Sequence, residues 1–373
     1  MNKIKISWNR SILLLFSVEL LAIFGIIMVY SASSYIAQND YGNAFYFMNK
    51  QIIGVILGTI SMFAMYFVDY KKLKKISVWL YVLSVILLVM VFIPVFSVKI
   101  YGARRWIKLV FFTIQPSELA KFCYIIFVAN YFSNNPDRAR TFKGILIPIL
   151  FGSVICLLII LEPNMSITMC VAILMLSMLF ACGVKFKHLA FFIFPVLLLV
   201  PLLIIIELYR LARLSAFLHP WESPQGEGYQ LLQSLYALGS GGFFGLGLFK
   251  SRQKYKFLPF AESDFILSVI GEELGFFGIL ILFSVFAFVI YLGVKIAKNC
   301  KNLFGYILAV GIILIFTIQV VINALVVSGS MPPTGLPLPL ISSGNTSIIA
   351  YMTAFGVLGN IGKDCDNLLT KTL

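Results

Sequence analysis

Apolar runs of about 18 to 25 residues recur along the chain between short polar segments, and each is long enough for a helix to cross the hydrocarbon core of a bilayer. They predict helices near residues 11–32, 51–69, 76–94, 116–133, 144–162, 166–183, 189–209, 270–294, 304–328 and 345–362. The fold class that follows is all-α, a polytopic membrane protein of about ten transmembrane helices. No polar stretch is long enough for a soluble domain, so residues 1–373 read as a single integral membrane domain whose large outer loop covers 210–263. The first apolar run is too long for a secretory signal core and more spans follow, which makes it a retained helix.

Composition strengthens this picture. The chain is 60% hydrophobic and 12% charged, too little polar surface to cover a water-soluble globule of this size. Charge then supplies orientation. With the N-terminus inside, the even-numbered connections carry the YKKLKK run at 70–75, the group Arg138, Arg140 and Lys143, the pair Lys185 and Lys187, and Lys295, Lys298 and Lys301. All are basic, as the positive-inside rule requires, so both termini are expected in the cytoplasm.

The cations left outside are concentrated in two loops: Lys99, Arg104, Arg105 and Lys108 in one, and Arg210, Arg213, Lys250, Arg252, Lys254 and Lys256 in the other. Long outer loops escape the charge rule, so a solvated surface is one reading. The other is attraction of an anionic partner outside the membrane, such as a lipid diphosphate headgroup. Nucleic acid is excluded as a partner by compartment and by the lack of a soluble fold to present these residues. Cys123, Cys156, Cys170, Cys182, Cys300 and Cys365 fall in spans or near cytoplasmic ends without metal-ligand spacing, so neither disulfides nor zinc are expected.

Ionisable residues at membrane depth are costly and need a reason. Glu19, within the first span, reads either as a helix-packing hydrogen bond or as a functional group. In QPSELAK, Pro116 suits a first helical turn that Ser117 or Gln115 would cap, and the three-residue spacing puts Glu118 and Lys121 on one face. They form either a self-neutralised structural pair or a device that orients a headgroup. Glu162 in LEPN closes a helix at its outer end. Where the long loop re-enters the bilayer lie Glu262, Asp264, Glu272 and Glu273. Asp264 has apolar neighbours that would favour a proton acceptor, although a hydrated helix cap fits as well. GSGGFFGLG at 239–247 lacks a preceding strand and a Walker lysine, so it reads as tight, re-entrant backbone rather than a nucleotide loop. The segment 328–347, with four prolines, three glycines and no charge, reads as a fixed non-helical outer loop.

Five ordered motifs carry a specific likeness. GARRWIKL, QPSELAK, GEGYQLLQSLYALGSGGFFGLGL, QKYKFLPFAESDFILSVIGEELGF and PPTGLPLPLISSGNTS resemble, in order and spacing, the SEDS family (shape, elongation, division and sporulation), which includes FtsW, RodA and SpoVE. The resemblance spans essentially the whole chain. It implies a ten-helix peptidoglycan glycosyltransferase of the bacterial cytoplasmic membrane that polymerises lipid II on the outer side, releases undecaprenyl diphosphate and works with a class B penicillin-binding protein amid membrane lipids. The family's essential aspartate lies in the pattern FLPEAHTDFIFSVI, which Asp264 matches. Phe260, Glu262 and Ser263 stand where Glu, His and Thr are usual. Asn164 replaces an Asp, and Ser343, Asn345 and Thr346 replace Tyr, Gly and Ser.

By this resemblance Asp264 is the catalytic base, Arg104, Arg105 and Lys121 contact the diphosphate, and Glu118 orients Lys121. The sequence requires no cofactor and is compatible with a divalent cation, Mg or Mn, at the diphosphate. Two rival readings of the same spans are a lipid II flippase and a non-catalytic scaffold of the wall machinery.

Overall fold

The computed structural model describes residues 10–100, 103–108, 113–194, 214–226 and 228–370. The chain is mainly helical: α1 (Arg10–Tyr41), α2 (Tyr46–Phe67), α3 (Lys71–Met90), α4 (Pro116–Asn134), α5 (Phe142–Leu161), α6 (Met165–Ala181), α7 (Tyr229–Gly241), α8 (Ile266–Asn299), α9 (Leu303–Val327) and α10 (Asn345–Thr370). Six of these, α1, α2, α3, α5, α8 and α9, are long and apolar enough to cross a membrane, and α6 is a shorter apolar helix. Among the described residues length and hydropathy thus pick out six spans, and the expected total of about ten is not confirmed. The seventh expected span, 189–209, lies outside the described residues from 195 onward, as do Arg210 and Arg213.

Packing explains which helices are polar inside. α10 lies against α1, α2, α4, α8 and α9, and α4 also packs on α3 and α9. α4, α9 and α10 thus form an inner group, and α9 is the most enclosed of the six long apolar helices. α2, α3 and α5 turn side chains such as Ile53, Ile60, Trp79, Leu83, Leu150 and Leu157 outward, as lipid-facing surfaces do. Backbone groups that the helices cannot satisfy find local partners. Pro148 in α5 has no N–H for the carbonyl four residues earlier, and the Tyr131 hydroxyl donates to that Gly144 carbonyl at 2.8 Å. Thr141, Asn164 and Asn302 cap α5, α6 and α9 through their side chains. Asn164 therefore does at this turn what an aspartate could do without adding charge.

A small antiparallel sheet departs from the all-helical expectation. Strands β1 (Ser97–Ile100), β2 (Ala103–Lys108) and β3 (Thr113–Ile114) pair in the order β1-β2-β3 at the end that the charge pattern assigns to the outside. The sheet carries Lys99, Arg104, Arg105 and Lys108 of the first cationic cluster.

The glycine-rich segment 239–247 is tight backbone, with positive φ at Gly242, Gly245 and Gly247. Helix α8 breaks at Gly275, where φ is 68°, a conformation open to glycine and costly for other residues. Around that break, Leu246 and Gly247 donate to the carbonyls of Glu272 and Glu273, and Phe276 and Phe277 donate to those of Gly242 and Phe243. The two interrupted segments satisfy each other's backbone, as irregular chain shielded from water must.

Candidate active site

Asp264 sits just before Phe265, the N-cap of α8, in a turn that several elements hold. Phe260 adopts a left-handed φ of 57°, and Ser263 and Phe265 donate their N–H groups to its carbonyl. The Ser342 hydroxyl donates to the Ser263 carbonyl, and the Ser343 N–H donates to the Glu262 carbonyl at 2.9 Å. The Asn323 amide of α9 donates to the Asp264 carbonyl at 2.9 Å and to the Leu336 carbonyl at 2.8 Å. One side chain thus ties the aspartate's backbone to the proline-rich loop. The Asp264 carboxylate lies against Gly335, where an added Cβ would come within 3.2 Å of Oδ2. Glycine there leaves the carboxylate room.

The proline-rich loop is non-helical as expected, but it is inserted into the protein rather than spread over its surface. Leu336, Leu338, Leu340 and Ile341 are buried. The Gln51 amide of α2 donates to the carbonyls of Ile341 and Ser342, and the Gln319 amide of α9 donates to that of Pro337 at 2.9 Å. Gln319 and Asn323, one helical turn apart, grip successive stretches of the loop. Sequence reasoning missed both, although two amides four residues apart in an otherwise apolar span are a readable signal.

Glu118 and Lys121 lie beneath this loop. Lys121 is 0% exposed and Glu118 1% exposed. The ammonium is 3.0 Å from both carboxylate oxygens of Glu118 and 2.9 Å from the Gln319 oxygen. That oxygen also accepts from the Tyr351 hydroxyl at 2.6 Å. Three acceptor oxygens from these two residues match the three ammonium protons, so Lys121 has no open line to a diphosphate in this arrangement. The pair supports Gln319, which in turn holds the loop. Gln115 is the N-cap of α4 without a side-chain cap bond, and the helix starts at Pro116 as the sequence suggests. Thr346 joins this end of α4 to α10, accepting from the Gln115 N–H and donating to the Thr113 carbonyl.

Strand alternation separates the two arginines. Arg105 donates to the backbone carbonyls of Glu162 and Pro163, across the α5–α6 turn. Arg104 leaves the other face of β2 and donates to the Ser97 hydroxyl at 3.0 Å. The same turn reaches Asp264 by a short route: Ser166 accepts the Gly335 N–H at 3.2 Å, and Gly335 faces the Asp264 carboxylate. Arg105, the 162–166 turn, Gly335 and Asp264 are therefore contiguous, with Arg104 one sheet face away.

The remaining acidic residues divide by role. Glu19 accepts from the Thr59 hydroxyl at 2.9 Å, a bond between α1 and α2. Glu272 and Glu273 hold the 249–254 segment by accepting the N–H groups of Phe249, Ser251, Arg252 and Gln253, and Glu273 also takes the Ser31 hydroxyl and pairs with Lys254. These carboxylates are committed to structure. Glu162 and Glu262 are different. Among the described residues neither carboxyl oxygen of Glu162, and not Oε2 of Glu262, has a hydrogen-bond partner. Burial pushes the Glu162 carboxyl up to about 8 against the pull of Arg105, and burial also raises Glu262.

A carboxyl whose folded value is raised favours the fold while protonated, and that contribution is lost as pH climbs from its ordinary value of 4.5 through about 8. Glu162→Gln is accordingly expected to stabilise the purified protein by about 1–3 kcal/mol at pH 8 and by little at pH 5. Thermal unfolding in detergent at the two pH values checks this, and an equal effect at both would contradict it.

Among the described residues no three His, Cys, Asp or Glu side chains are gathered to hold a metal. A divalent cation at Asp264 would have to complete its shell with substrate oxygens and water.

The cell cycle protein model of FtsW, RodA and SpoVE matches residues 11–366. The chain is 39% identical over 351 residues to a probable peptidoglycan glycosyltransferase FtsW of Trichlorobacter lovleyi, covering 94% of this chain and 92% of that protein. It is 37% identical over 358 residues to stage V sporulation protein E of Bacillus subtilis, covering 95% and 97%. Among solved structures, a chain of a peptidoglycan synthase complex that coordinates polymerization and crosslinking matches with a TM-score of 0.78 at 27% identity, over 94% of this chain and 97% of that one. The rod shape determining protein RodA of Thermus thermophilus shares the fold, with a TM-score of 0.70 at 24% identity over 98% and 99% of the two chains.

Proposed function

The chain belongs to the cell cycle protein family of FtsW, RodA and SpoVE, and from that membership we propose that it is a peptidoglycan glycosyltransferase that joins lipid II units into glycan at the outer face of the bacterial cytoplasmic membrane. The observation that supports this most is the seat of Asp264. An acidic side chain lies against Gly335 of the uncharged loop, its backbone is held by Asn323, and Gly335 is bonded to Ser166 of the turn on which Arg105 of the sheet sits.

In the reaction, the 4-hydroxyl oxygen of an acceptor lipid II attacks C1 of the donor sugar. The C1–O bond to undecaprenyl diphosphate breaks, and the diphosphate leaves with the bonding electrons. Asp264 takes the hydroxyl proton and later returns it to water. One direct displacement inverts C1, whereas retention would need a nucleophile as well. Diphosphate is a good leaving group and needs charge stabilisation, which guanidinium groups supply in a forked, phosphate-matching geometry. Arg105 is the better placed for this because it borders the route to Asp264, and Arg104 adds field from the far sheet face. Glu118 and Lys121 act as positioning residues through Gln319 and the loop. No step is assigned to a metal ion.

Arg105→Ala is expected to raise the KM for lipid II about tenfold or more, and Arg104→Ala distinctly less. Steady-state polymerisation kinetics for the two variants measure the difference, and equal effects would remove the distinction drawn between the sheet faces.

A class B penicillin-binding protein is the proposed partner, a reading supported by the similar chain's place in a peptidoglycan synthase complex. Both termini are assigned to the cytoplasm by the charge pattern. Proteoliposomes carrying fluorescent lipid II test the function against the flippase reading. Glycan chains and released undecaprenyl diphosphate are expected. Transfer of lipid II between leaflets with no glycan formed, even with the partner present, would overturn the assignment.

A further inference from the structure

Glu162 is an unusual carboxyl. It follows the last residue of α5 and is 1% exposed, yet neither of its carboxyl oxygens has a hydrogen-bond partner among the described residues. Glu272 and Glu273, equally enclosed, each accept several bonds. A buried polar group left without a partner costs about 1–3 kcal/mol, so one that persists at a candidate site points to a ligand.

The surroundings say which ligand. Arg105 of β2 lies over the turn, but it donates to the backbone carbonyls of Glu162 and Pro163 rather than to the carboxyl. Arg105 is also the one charged group among the described residues that acts electrostatically on Glu162. From α6 the turn receives only uncharged groups, with Asn164 capping the helix and Ser166 bonded to Gly335. The carboxyl is thus enclosed in a neutral setting beneath a guanidinium at the protein surface. A protonated carboxyl supplies an O–H donor without negative charge, whereas an ionised one would repel an anion.

We propose that Glu162 is a substrate-binding residue of this site: as a neutral acid it donates a hydrogen bond to an anionic oxygen of a lipid-linked diphosphate, which Arg105 engages on leaving the Glu162 and Pro163 carbonyls. The proposal rests on the diphosphate-linked donor of the function above. Arg105 is the cover of the turn, and its transfer from two neutral carbonyls to a doubly charged ligand gives stronger, charge-assisted bonds while opening the carboxyl beneath. Both the donor and the guanidinium then meet the diphosphate within a short chain of contacts from Asp264.

The test is equilibrium binding of undecaprenyl diphosphate to the full chain in nanodiscs at pH 6.5 and pH 9, for the wild type, Glu162→Gln and Glu162→Leu. Wild-type affinity is expected to fall about tenfold or more across this interval, whereas the Glu162→Gln affinity ratio stays near one. Glu162→Leu is expected to bind at least about tenfold more weakly than the wild type at pH 6.5, with its thermal midpoint and elution profile confirming a folded protein. Equal pH dependence in wild type and Glu162→Gln, or wild-type affinity in Glu162→Leu, overturns the role of Glu162 and leaves the glycosyltransferase reading standing. Failure of the wild type to bind the lipid diphosphate at either pH overturns both.

Discussion

Lys121→Met is expected to destabilise the protein by about 3–5 kcal/mol, a large part of the stability of an ordinary domain. The ammonium is fully enclosed and bonded to Glu118 and Gln319. Its removal leaves the Glu118 carboxylate buried without a counter-charge. The damage should spread, because the Gln319 side chain that Lys121 holds is the one whose amide grips the Pro337 carbonyl. Double replacement separates support from chemistry. If the pair only positions the loop, Glu118→Leu combined with Lys121→Met should recover most of the stability, since an apolar pair of similar volume avoids the desolvation penalty. The Tyr351 hydroxyl still satisfies Gln319 in that variant. Glycan synthesis should then return to within about tenfold of wild type, a difference of about 1.4 kcal/mol in the barrier. A double variant that is stable but inactive would instead give Lys121 a direct part in binding the diphosphate. Thermal unfolding in detergent and polymerisation rates, measured on the same preparations, read out both halves.

Asp264→Asn is the counterpart with a large effect on activity and a small one on stability. The turn that carries Asp264 is held by backbone contacts from Asn323, Ser342 and Ser343, none of which needs the carboxylate. Asparagine has nearly the same shape and keeps one oxygen, so the fit against Gly335 survives. What it loses is basicity. General base catalysis contributes typically 10²–10⁴ in rate, and a loss of this size would leave no detectable polymer under ordinary assay conditions.

Much of this was legible in the chain, for identifiable reasons. Hydropathy located α6 and α9 to within two residues at either end, because these helices begin and end near the edges of their apolar runs. It shortened α1, whose helix continues from the expected end at 32 to Tyr41, because hydropathy registers the apolar crossing and not a polar continuation of the same helix. α3 begins at Lys71, within the basic run assigned to a connection, for the same reason. The sheet was invisible because its strands are short and GARRWIKL reads first as a charge cluster.

Pro116 marked the start of α4 correctly, and the three-residue spacing brought Glu118 to Lys121. No spacing rule could reveal that Gln319, far along the chain, takes the third ammonium proton. Glu162 was noted for its position alone; its lack of partners is a property of the folded chain. The departures at Glu262 and Ser343 meet through a backbone bond beside Asp264, a relation that two separate motifs cannot disclose.

The assay that bears on the proposed chemistry is glycan synthesis from purified lipid II by the Asp264→Asn protein with its penicillin-binding partner present. Wild type should give long glycan chains. The variant, equally folded and equally inserted, should give none above the enzyme-free control. Glycan formed by Asp264→Asn at the wild-type rate would contradict the assignment of the base and the mechanism built on it.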